Sequence, residues 1–592
     1  MIGLSLQQDS RVRSNTARFL ALFLWFSVMT HGLYYPQERL FFGLALAAYV
    51  WVSYLFGRFN ISKDTRETLG LTDALFLAMV ILSTLGLLQP VRAANGLLEA
   101  LHWGTFWIVY RLGVHISSDE TVQKKLLNYV EWLAIAVAII AWLPWVDRVA
   151  GRLSSVFGYP NTLATFLGAV LLLNPRSKLV HSLLIMTLLA TGSRAGVGLF
   201  VVFLIGQYLI ILRHAGPIRK MGLGLNNYFK GLMLIGLGVS GLVLVTLYNT
   251  AAWENLTTWS FSSFSWQERL VYYKDGIRLA WDAGGLPQAG GWLAFPTVQH
   301  FPYWTTDPHS SFIHILLNQG LFGIVSVGIW SSLILAQAWK TVGKRAKWHK
   351  TDLEYQETKL QVRMWAALLF LALHSLVDAD YSFGSLGCLF WLLLGSVRKV
   401  ELTYRPFYSK HVKELVMSNK VMIGISGSLC LACGSILLNP AIIEKERNWN
   451  TFATQWSEQN SEKSMELWTK SLNWDQTQTS IRQEQAEHLL GLGKIDLGLE
   501  AVEEVLKWQS YNIEAYEWAQ SVVWDAAEGH RSTQPEMANR LYGWIERVPK
   551  LMEEKVQLLT SSECLLWQGH RDFLPSPHIM LLAEHARQRQ RT

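Results

Sequence analysis

Apolar residues run along most of this chain in long blocks parted by short polar connections, and the blocks are near the length of a membrane-crossing helix, about 20 residues. They predict thirteen spans, near 17–35, 39–56, 71–89, 95–115, 127–145, 156–173, 179–191, 195–212, 231–249, 311–338, 364–378, 383–397 and 420–438. The connections test that pattern, because Lys and Arg are retained on the cytoplasmic side. Basic residues fall in alternate connections: Arg58, Lys63 and Arg66; Arg111, Lys124 and Lys125; Arg176 and Lys178; Arg213, Arg219 and Lys220; Lys340 to Lys350; Arg398 to Lys413. With the N-terminus inside, every one of these is cytoplasmic. The Trp253–Ser310 connection and everything after Pro440 then lie outside. The expected fold class is an all-α polytopic membrane bundle over residues 1–440, with a long extracytoplasmic loop at 250–310 and a separate helical domain at 441–592.

One pair of spans needs a break. Residues 179–212 form a nearly unbroken apolar run of about 50 Å as a helix, against a hydrocarbon core of about 30 Å. A single helix would put the basic connections at Arg176 and Arg213 on opposite sides. Breaking it at Thr191-Gly192-Ser193-Arg194-Ala195-Gly196 keeps both inside and brings Arg194 to the outer surface.

After Pro440 the pattern changes to polar helical periodicity and the chain repeats itself. Ser461–Arg482 laid 34 residues onward meets Ile495–Tyr516, with Glu466 on Glu500, Leu472 on Leu506 and Trp474 on Trp508. That period resembles the tetratricopeptide helical hairpin over about 450–550. Residues 551–592 read as one or two further helices ending in a basic, frayed tail, Arg587 to Arg591.

Composition narrows the class. A chain of 592 residues that is 51% hydrophobic with 27 Trp is not one soluble domain. A net charge of +7 could suit a nucleic-acid binder, but the cations sit between apolar blocks and not along one stripe, so no nucleic-acid partner is expected. Cys388, Cys430, Cys433 and Cys564 give no disulfide framework, and Cys430-x-x-Cys433 lacks the second pair of a metal site. No cleavable signal peptide is evident; Arg11, Arg13 and Arg18 precede the first span and hold it inside.

The chemistry concentrates in the outer loop. Ser265–Trp281 reads as a helix lying along the membrane, with Trp266, Leu270, Ile277 and Trp281 on one face and Arg269, Tyr272 and Gly276 on another. Gly284-Gly285-Leu286-Pro287 ends it, Gly290-Gly291-Trp292 makes a further turn, and His309 sits just before the next span. A guanidinium is a rigid fork of donors suited to phosphate oxygens. A neutral histidine accepts a proton near physiological pH. Arg194, Arg269 and His309 together suit a reaction in which an alcohol displaces a phosphate leaving group. Taken singly, each has a plainer reading: a span-end arginine usually anchors topology, and a histidine before a helix is commonly a cap.

At these residues the chain resembles the O-antigen ligase and polymerase superfamily of polytopic membrane glycosyltransferases, over roughly residues 150–400. Phe157-Gly158-Tyr159-Pro160-Asn161-Thr162-Leu163-Ala164 looks like that family's Pro-Asn segment, and Thr191-Gly192-Ser193-Arg194-Ala195-Gly196 like its Ser-Arg signature. Glu268-Arg269-Leu270-x-Tyr272-Tyr273-Lys274-Asp275-Gly276, with Pro287 and Gly290-Gly291, is similar to its long-loop motif. His309-Ser310-Ser311-Phe312 and Gln319-Gly320-Leu321-Phe322-Gly323 resemble its histidine motif, with Ser310 where the family commonly has Asn.

The resemblance implies a GT-C-like fold and a glycan donor on a polyprenyl pyrophosphate, transferred to a glycan, lipid or protein hydroxyl. Arg194 and Arg269 would hold the pyrophosphate, His309 would be general base, and inversion would follow from single displacement. No metal or other cofactor is expected. Lys274, Arg278, Tyr273, Asn161 and Asp378 join the expected binding residues, Asp378 on the acceptor or structural side. His374 reads as a buried, hydrogen-bonded core histidine, and His300 and Asp307 carry no assigned role. Asn255-Leu256-Thr257 matches a glycosylation triplet of a kind frequent by chance.

Two other functions compete. A transporter or flippase of lipid-linked glycans would carry charges deep in several spans, whereas Glu99 and Glu131 are the main ones read here. A receptor or scaffold would use the repeats to bind a protein partner, and thirteen spans are excessive for an anchor. Shared motifs do not separate ligase from polymerase.

Overall fold

The computed structural model describes residues 2–57, 70–117, 119–173, 177–214, 250–257, 264–343, 352–397 and 419–591. The chain is all-α, about 80% helical. Among the described residues the only ladder is the two-stranded antiparallel ribbon of Arg148–Val149 with Arg152–Leu153. Among the described residues, five helices are long and apolar enough to cross a membrane: Pro36–Leu55, Leu71–Leu88, Arg194–Arg213, Ser311–Lys340 and Lys420–Leu438. The expected span 231–249 and most of the basic connections lie outside the described residues.

The run through 179–212 is broken as its length demands. Helix Lys178–Ala190 stops, Gly192 takes φ +61°, and Arg194–His214 begins. Helix Ser311–Gly343 carries a second break that the apolar pattern does not announce. Gly320 has φ 66° and ψ −166°, and the 285–288 turn is wedged against the gap. Leu321 N donates to Gly285 O at 2.9 Å, and Gln288 N to Leu317 O at 3.2 Å. Backbone groups released by the kink are thus re-satisfied by the loop, which apolar surroundings require.

Arg111 does not lie in a connection. It is buried inside helix Ala93–Ile116, and its Nη1 lies 3.6 Å from Asp73 Oδ2 on helix Leu71–Leu85. Trp107 Nε1 donates to the other Asp73 oxygen at 2.8 Å. A guanidinium removed from water needs such a partner, so this residue is a packing element and no guide to sidedness. Asp73 and Arg111 also add to Glu99 and Glu131 as charges within the apolar helices.

The 253–310 connection is largely ordered structure with an apolar core of its own, in which Tyr272, Leu279, Trp292 and Phe295 meet Ile313, Leu317 and Trp508. Helix Phe264–Asp282 buries Tyr272, Asp275, Gly276, Leu279 and Ala280. Its opposite face exposes Leu270 (49%), Ile277 (55%) and Trp281 (84%), the two faces that the periodicity defines. Hydrogen bonds tie this connection to others in the chain. Ala289 N donates to Gly86 O, and Val91 N to Ala289 O.

Beyond Pro440, antiparallel helices pack in sequence: Lys445–Trp456 on Ser461–Trp474, Thr479–Gly491 on Ile495–Trp508, and Ile513–His530 on Pro535–Gln557. Ser461–Trp474 and Ile495–Trp508 begin and end 34 residues apart. The tail is not frayed. Helix Pro577–Arg591 buries Ile579, Ala583 and Ala586, and Arg587 and Arg589 pair with Glu546 (2.9 Å) and Glu528 (3.1 Å) of neighbouring helices. These helices rest on the membrane-side connections. Gln476 N donates to Val91 O at 2.7 Å, Arg92 Nε lies 3.4 Å from Asp475 Oδ2, and Tyr511 OH donates to His300 O.

Candidate functional site

Asp378 is fully buried between helix Asp352–Ser375 and the short turn Ala379–Ser382, and it is the hub of the site. Its Oδ1 accepts from Tyr159 OH and from Ala379 N, both at 2.8 Å. Its Oδ2 accepts from Asn161 Nδ2 at 2.7 Å and from Arg269 Nη2 at 2.9 Å. A buried carboxylate is tolerated only when paired and hydrogen-bonded on both oxygens, and here both conditions hold.

His309 stands beside this hub. Its Nδ1 lies 3.7 Å from Asp378 Oδ1 and 3.5 Å from Tyr159 OH, and its ring stacks on Tyr272 at 5.8 Å. The first separation is longer than a hydrogen bond, a common state for a catalytic contact before substrate tightens it. The residue has φ 53°, outside the usual range for a side-chain-bearing residue. Two contacts hold it there: Asp307 Oδ1 accepts from His309 N at 2.7 Å, and Tyr273 OH donates to His309 O at 3.1 Å.

Three guanidiniums gather around the hub. Burial alone would lower the Arg269 pKa, but Asp378 overrides it and the group is held above the ordinary arginine range. Arg194, first residue of its helix, has Nη2 3.5 Å from Ser265 Oγ, one turn before Arg269. Arg152 donates from Nη2 to Asn161 Oδ1 at 2.7 Å and from Nε to Thr191 O at 2.6 Å. Its pKa is lowered by burial, with Tyr159 and Asp378 opposing the shift and the Arg194 and Arg269 charges adding to it. The Arg194 and Arg269 charges thus both reach Arg152.

Arg194, Arg269, His309, Tyr273, Asn161 and Asp378 are therefore brought together from distant segments. Lys274 and Arg278 are not. They leave the Phe264–Asp282 helix on its exposed side, where Arg278 Nη1 comes within 3.4 Å of His300 Nε2 and both cations neighbour Asp275. His374 is fully buried, with Nδ1 2.6 Å from Asp380 Oδ2 and 2.8 Å from Thr165 Oγ1. Arg152, Tyr159 and Asp307 are the additions that motif reading left without a role. Arg152 carried a usable signal, since it is a cation in a connection on the side that the charge pattern leaves poor in cations. Asp307 precedes His309 by two residues.

Two cavities lie near the site. An apolar crevice of about 350 Å³ runs between helices Ser311–Gly343 and Asp352–Ser375, bordered by Phe312, Ile315, Leu369 and Trp391, and it reaches Ser311 and Asp380. A second cavity of about 320 Å³ is bordered by His309, Tyr159 and Asp307. Among the described residues no group of three or more His, Cys, Asp or Glu side chains is arranged to hold a metal ion. No protein-family model and no curated protein matches this chain.

Proposed function

We propose that this chain is a membrane glycosyltransferase of the O-antigen ligase and polymerase type. It transfers or polymerises glycan from a polyprenyl-pyrophosphate donor onto a hydroxyl acceptor at the outer face of the cytoplasmic membrane. The observation that carries the reading is the convergence of Arg152, Arg194 and Arg269 on the His309–Asp378 pair, with an apolar crevice that reaches Ser311 and Asp380, two residues along the chain from each of that pair.

The chemistry follows from those groups. The prenyl tail lies in the crevice and the pyrophosphate meets the guanidiniums, whose charge stabilises the anion as it leaves. Asp378 faces His309 Nδ1 and orients the ring, leaving Nε2 as the basic nitrogen. An acceptor oxygen attacks the anomeric carbon while its proton passes to His309. The anomeric C–O bond breaks, and the prenyl pyrophosphate departs with the electron pair. Inversion at carbon results.

In this reading thirteen spans place the N-terminus inside and the 253–310 loop outside. The C-terminal helices, resembling tetratricopeptide repeats, lie outside with it and engage the acceptor or a protein partner. Their packing on the 86–92 turn and on His300 supports a shared side. The test is transfer in lipid nanodiscs from a polyprenyl-pyrophosphate oligosaccharide, with product length resolved. Wild type forms product; Arg269→Ala and His309→Ala abolish it while still inserting in the membrane. Normal product from both variants overturns the assignment, and chain length separates polymerase from ligase.

A further inference from the structure

A third cavity, of about 120 Å³, lies where helices Pro36–Leu55, Ala93–Ile116 and Ser311–Gly343 meet. Along the middle helix Asn95, Glu99, His102 and Thr105 recur every three or four residues and border the cavity as one polar stripe about 15 Å long. Arg39, His314 and Asn318 border it from the other two helices. Ionisable side chains turned inward among apolar helices are costly to keep, and they mark a place where a polar or charged species is received.

Other buried charges in this chain touch their partners: Arg269 meets Asp378 at 2.9 Å, and Arg111 lies 3.6 Å from Asp73. Among the described residues no ion pair joins Arg39 to Glu99, although both border this cavity. Arg39 donates from Nε to Leu33 O at 2.8 Å and from Nη2 to Tyr34 O at 3.1 Å and to Ser382 O, which leaves Nη1. Glu99 accepts from Tyr381 OH and, at 3.3 Å, from Gln319 Nε2, both on Oε1, which leaves Oε2. Asn318 accepts from Gly291 N at 3.3 Å through Oδ1, which leaves Nδ2. His102 is 7% exposed, and its Nε2 is buried without a hydrogen-bond partner. The groups are also ordered along the helices. Arg39, Asn95 and His314 stand within the first four residues of theirs, whereas Glu99 and His102 lie about one and two turns further in. Three helix starts therefore add their positive ends to the Arg39 charge at one end of the cavity, and the carboxylate stands beyond it.

We infer that this cavity binds a small zwitterion, a phosphate joined by two carbons to a primary ammonium, with the phosphate on Arg39 and the ammonium on Glu99. A lone anion would face the Glu99 carboxylate, and a lone cation the Arg39 guanidinium. A neutral polyol would leave both charges unpaired in a buried place. Donors outnumber acceptors at the Arg39 end, where Nη1, Asn318 Nδ2 and imidazole N–H groups suit the oxygens of a phosphate better than the two of a carboxylate. Leu40, Leu98 and Leu101 border the same cavity and meet the carbon bridge. Ethanolamine phosphate exists free and as a phospholipid headgroup, and its chemistry at these side chains is the same in both. The site uses none of Arg152, Arg194 or Arg269 and does not depend on the transferase reading.

The experiment is calorimetric titration of the full chain in phosphatidylglycerol nanodiscs, which carry no ammonium. The probes are O-phosphoethanolamine, inorganic phosphate and ethanolamine. Phosphoethanolamine should bind, and each half alone should bind at least about tenfold more weakly, the scale of one lost charge-assisted contact. Glu99→Gln keeps the shape and an acceptor for Tyr381, and should bring phosphoethanolamine down to the affinity of phosphate alone. Asn95→Ala, at a half-buried residue beside the helix start, should weaken binding severalfold without lowering the melting temperature. Arg194→Ala, outside the cavity, should bind as wild type does. In a second arm phosphatidylethanolamine replaces part of the lipid. A fall in the apparent affinity of the soluble probe then points to a lipid headgroup as occupant, and an unchanged affinity to the free compound; both support the site. Absence of phosphoethanolamine binding by wild type overturns it, as does phosphate binding equally well. Unchanged affinity in both Glu99→Gln and Asn95→Ala overturns it too. So does a matching loss in Arg194→Ala, which would put the phosphate among the guanidiniums around Asp378.

Discussion

The Arg269 guanidinium and the Asp378 carboxylate meet at 2.9 Å, Nη2 to Oδ2, across 109 residues of sequence. The carboxylate is fully buried and the guanidinium side chain is 15% exposed, so neither partner can be removed without stranding the other. Asp378→Ala should destabilise the chain by about 3–5 kcal/mol, the scale for breaking a buried pair. Asp378→Asn keeps the shape and the acceptor for Tyr159 but loses the charge, and should lose most transfer activity at a smaller stability cost. Thermal unfolding in detergent beside transfer rates separates the two effects. Equal stability of Asp378→Ala and wild type would contradict the role given to the pair.

Tyr273 holds the backbone of the candidate base through its hydroxyl on His309 O. Burial pushes the phenol up to about 12, so it remains a donor throughout the physiological range. Tyr273→Phe removes one hydrogen bond of about 0.5–1.5 kcal/mol. The expected result is a drop of about 2- to 10-fold in kcat with KM little changed, since the hydroxyl acts on His309 and not on donor binding. A rise in KM at constant kcat would place Tyr273 on the substrate instead.

How much of this was legible in the sequence depended on whether the signal was local. The break at Gly192 follows from length alone, because 34 apolar residues exceed one bilayer crossing. The faces of helix Phe264–Asp282 follow from 3.6-residue periodicity, and Leu270, Ile277 and Trp281 are indeed the exposed line. What could not be read is what only the assembled chain creates. Gly320 looks like any glycine in an apolar helix until the 285–288 turn is packed on it. Asp378 has no local mark of being the acceptor for Tyr159, Asn161 and Arg269 together. Arg111 was misplaced because hydropathy assigns a charge to the nearest connection, whereas its partner Asp73 lies on another helix. Lys274 and Arg278 share a loop with Arg269 but leave the helix in other directions.

The outer loop carries a pH signature at Asp275. Burial raises its pKa above the ordinary carboxylate value of about 3.9, while Tyr303, whose hydroxyl donates to it at 2.5 Å, partly offsets the shift. A raised pKa in the folded state means that stability is fully present below the unfolded value and falls as pH rises through the folded one. Asp275→Asn lacks this titration and still accepts from Tyr303. Its melting temperature should therefore gain on that of wild type as pH is raised from about 4 to 8. Tryptophan fluorescence melts across that range decide the matter, and parallel curves would refute it.

Gly320 should be close to irreplaceable. At φ 66° and ψ −166° it occupies backbone space open essentially to glycine alone. A Cβ there would stand 2.6 Å from Gly285 O and 2.8 Å from Leu286 C and Pro287 N, backbone atoms with no freedom to retreat. Gly320→Ala should cost at least about 2 kcal/mol. Gly328→Ala on the same helix, where a Cβ meets nothing within 4 Å, is the control and should melt like wild type. A Gly320→Ala protein as stable as that control would mean that the break is not obligatory.

The C-terminal helices bear on the site through Asp475. This carboxylate is fully buried, lies 3.4 Å from Arg92 Nε, and accepts from Thr477 Oγ1 at 2.6 Å. Next to it Gln476 Nε2 donates to Pro90 O at 2.6 Å. The 86–92 turn so fixed in turn holds the loop, since Arg92 N donates to Ala289 O at 2.9 Å and Ala289 N to Gly86 O at 3.1 Å. Asp475→Ala should therefore loosen two layers at once. Amide exchange should rise at 475–479 and also at 86–92 and 285–291, and the proposed transfer should slow although the substitution lies outside the candidate catalytic groups. Faster exchange confined to 475–479, with transfer unchanged, would show that the C-terminal domain rides on the loop without bracing it.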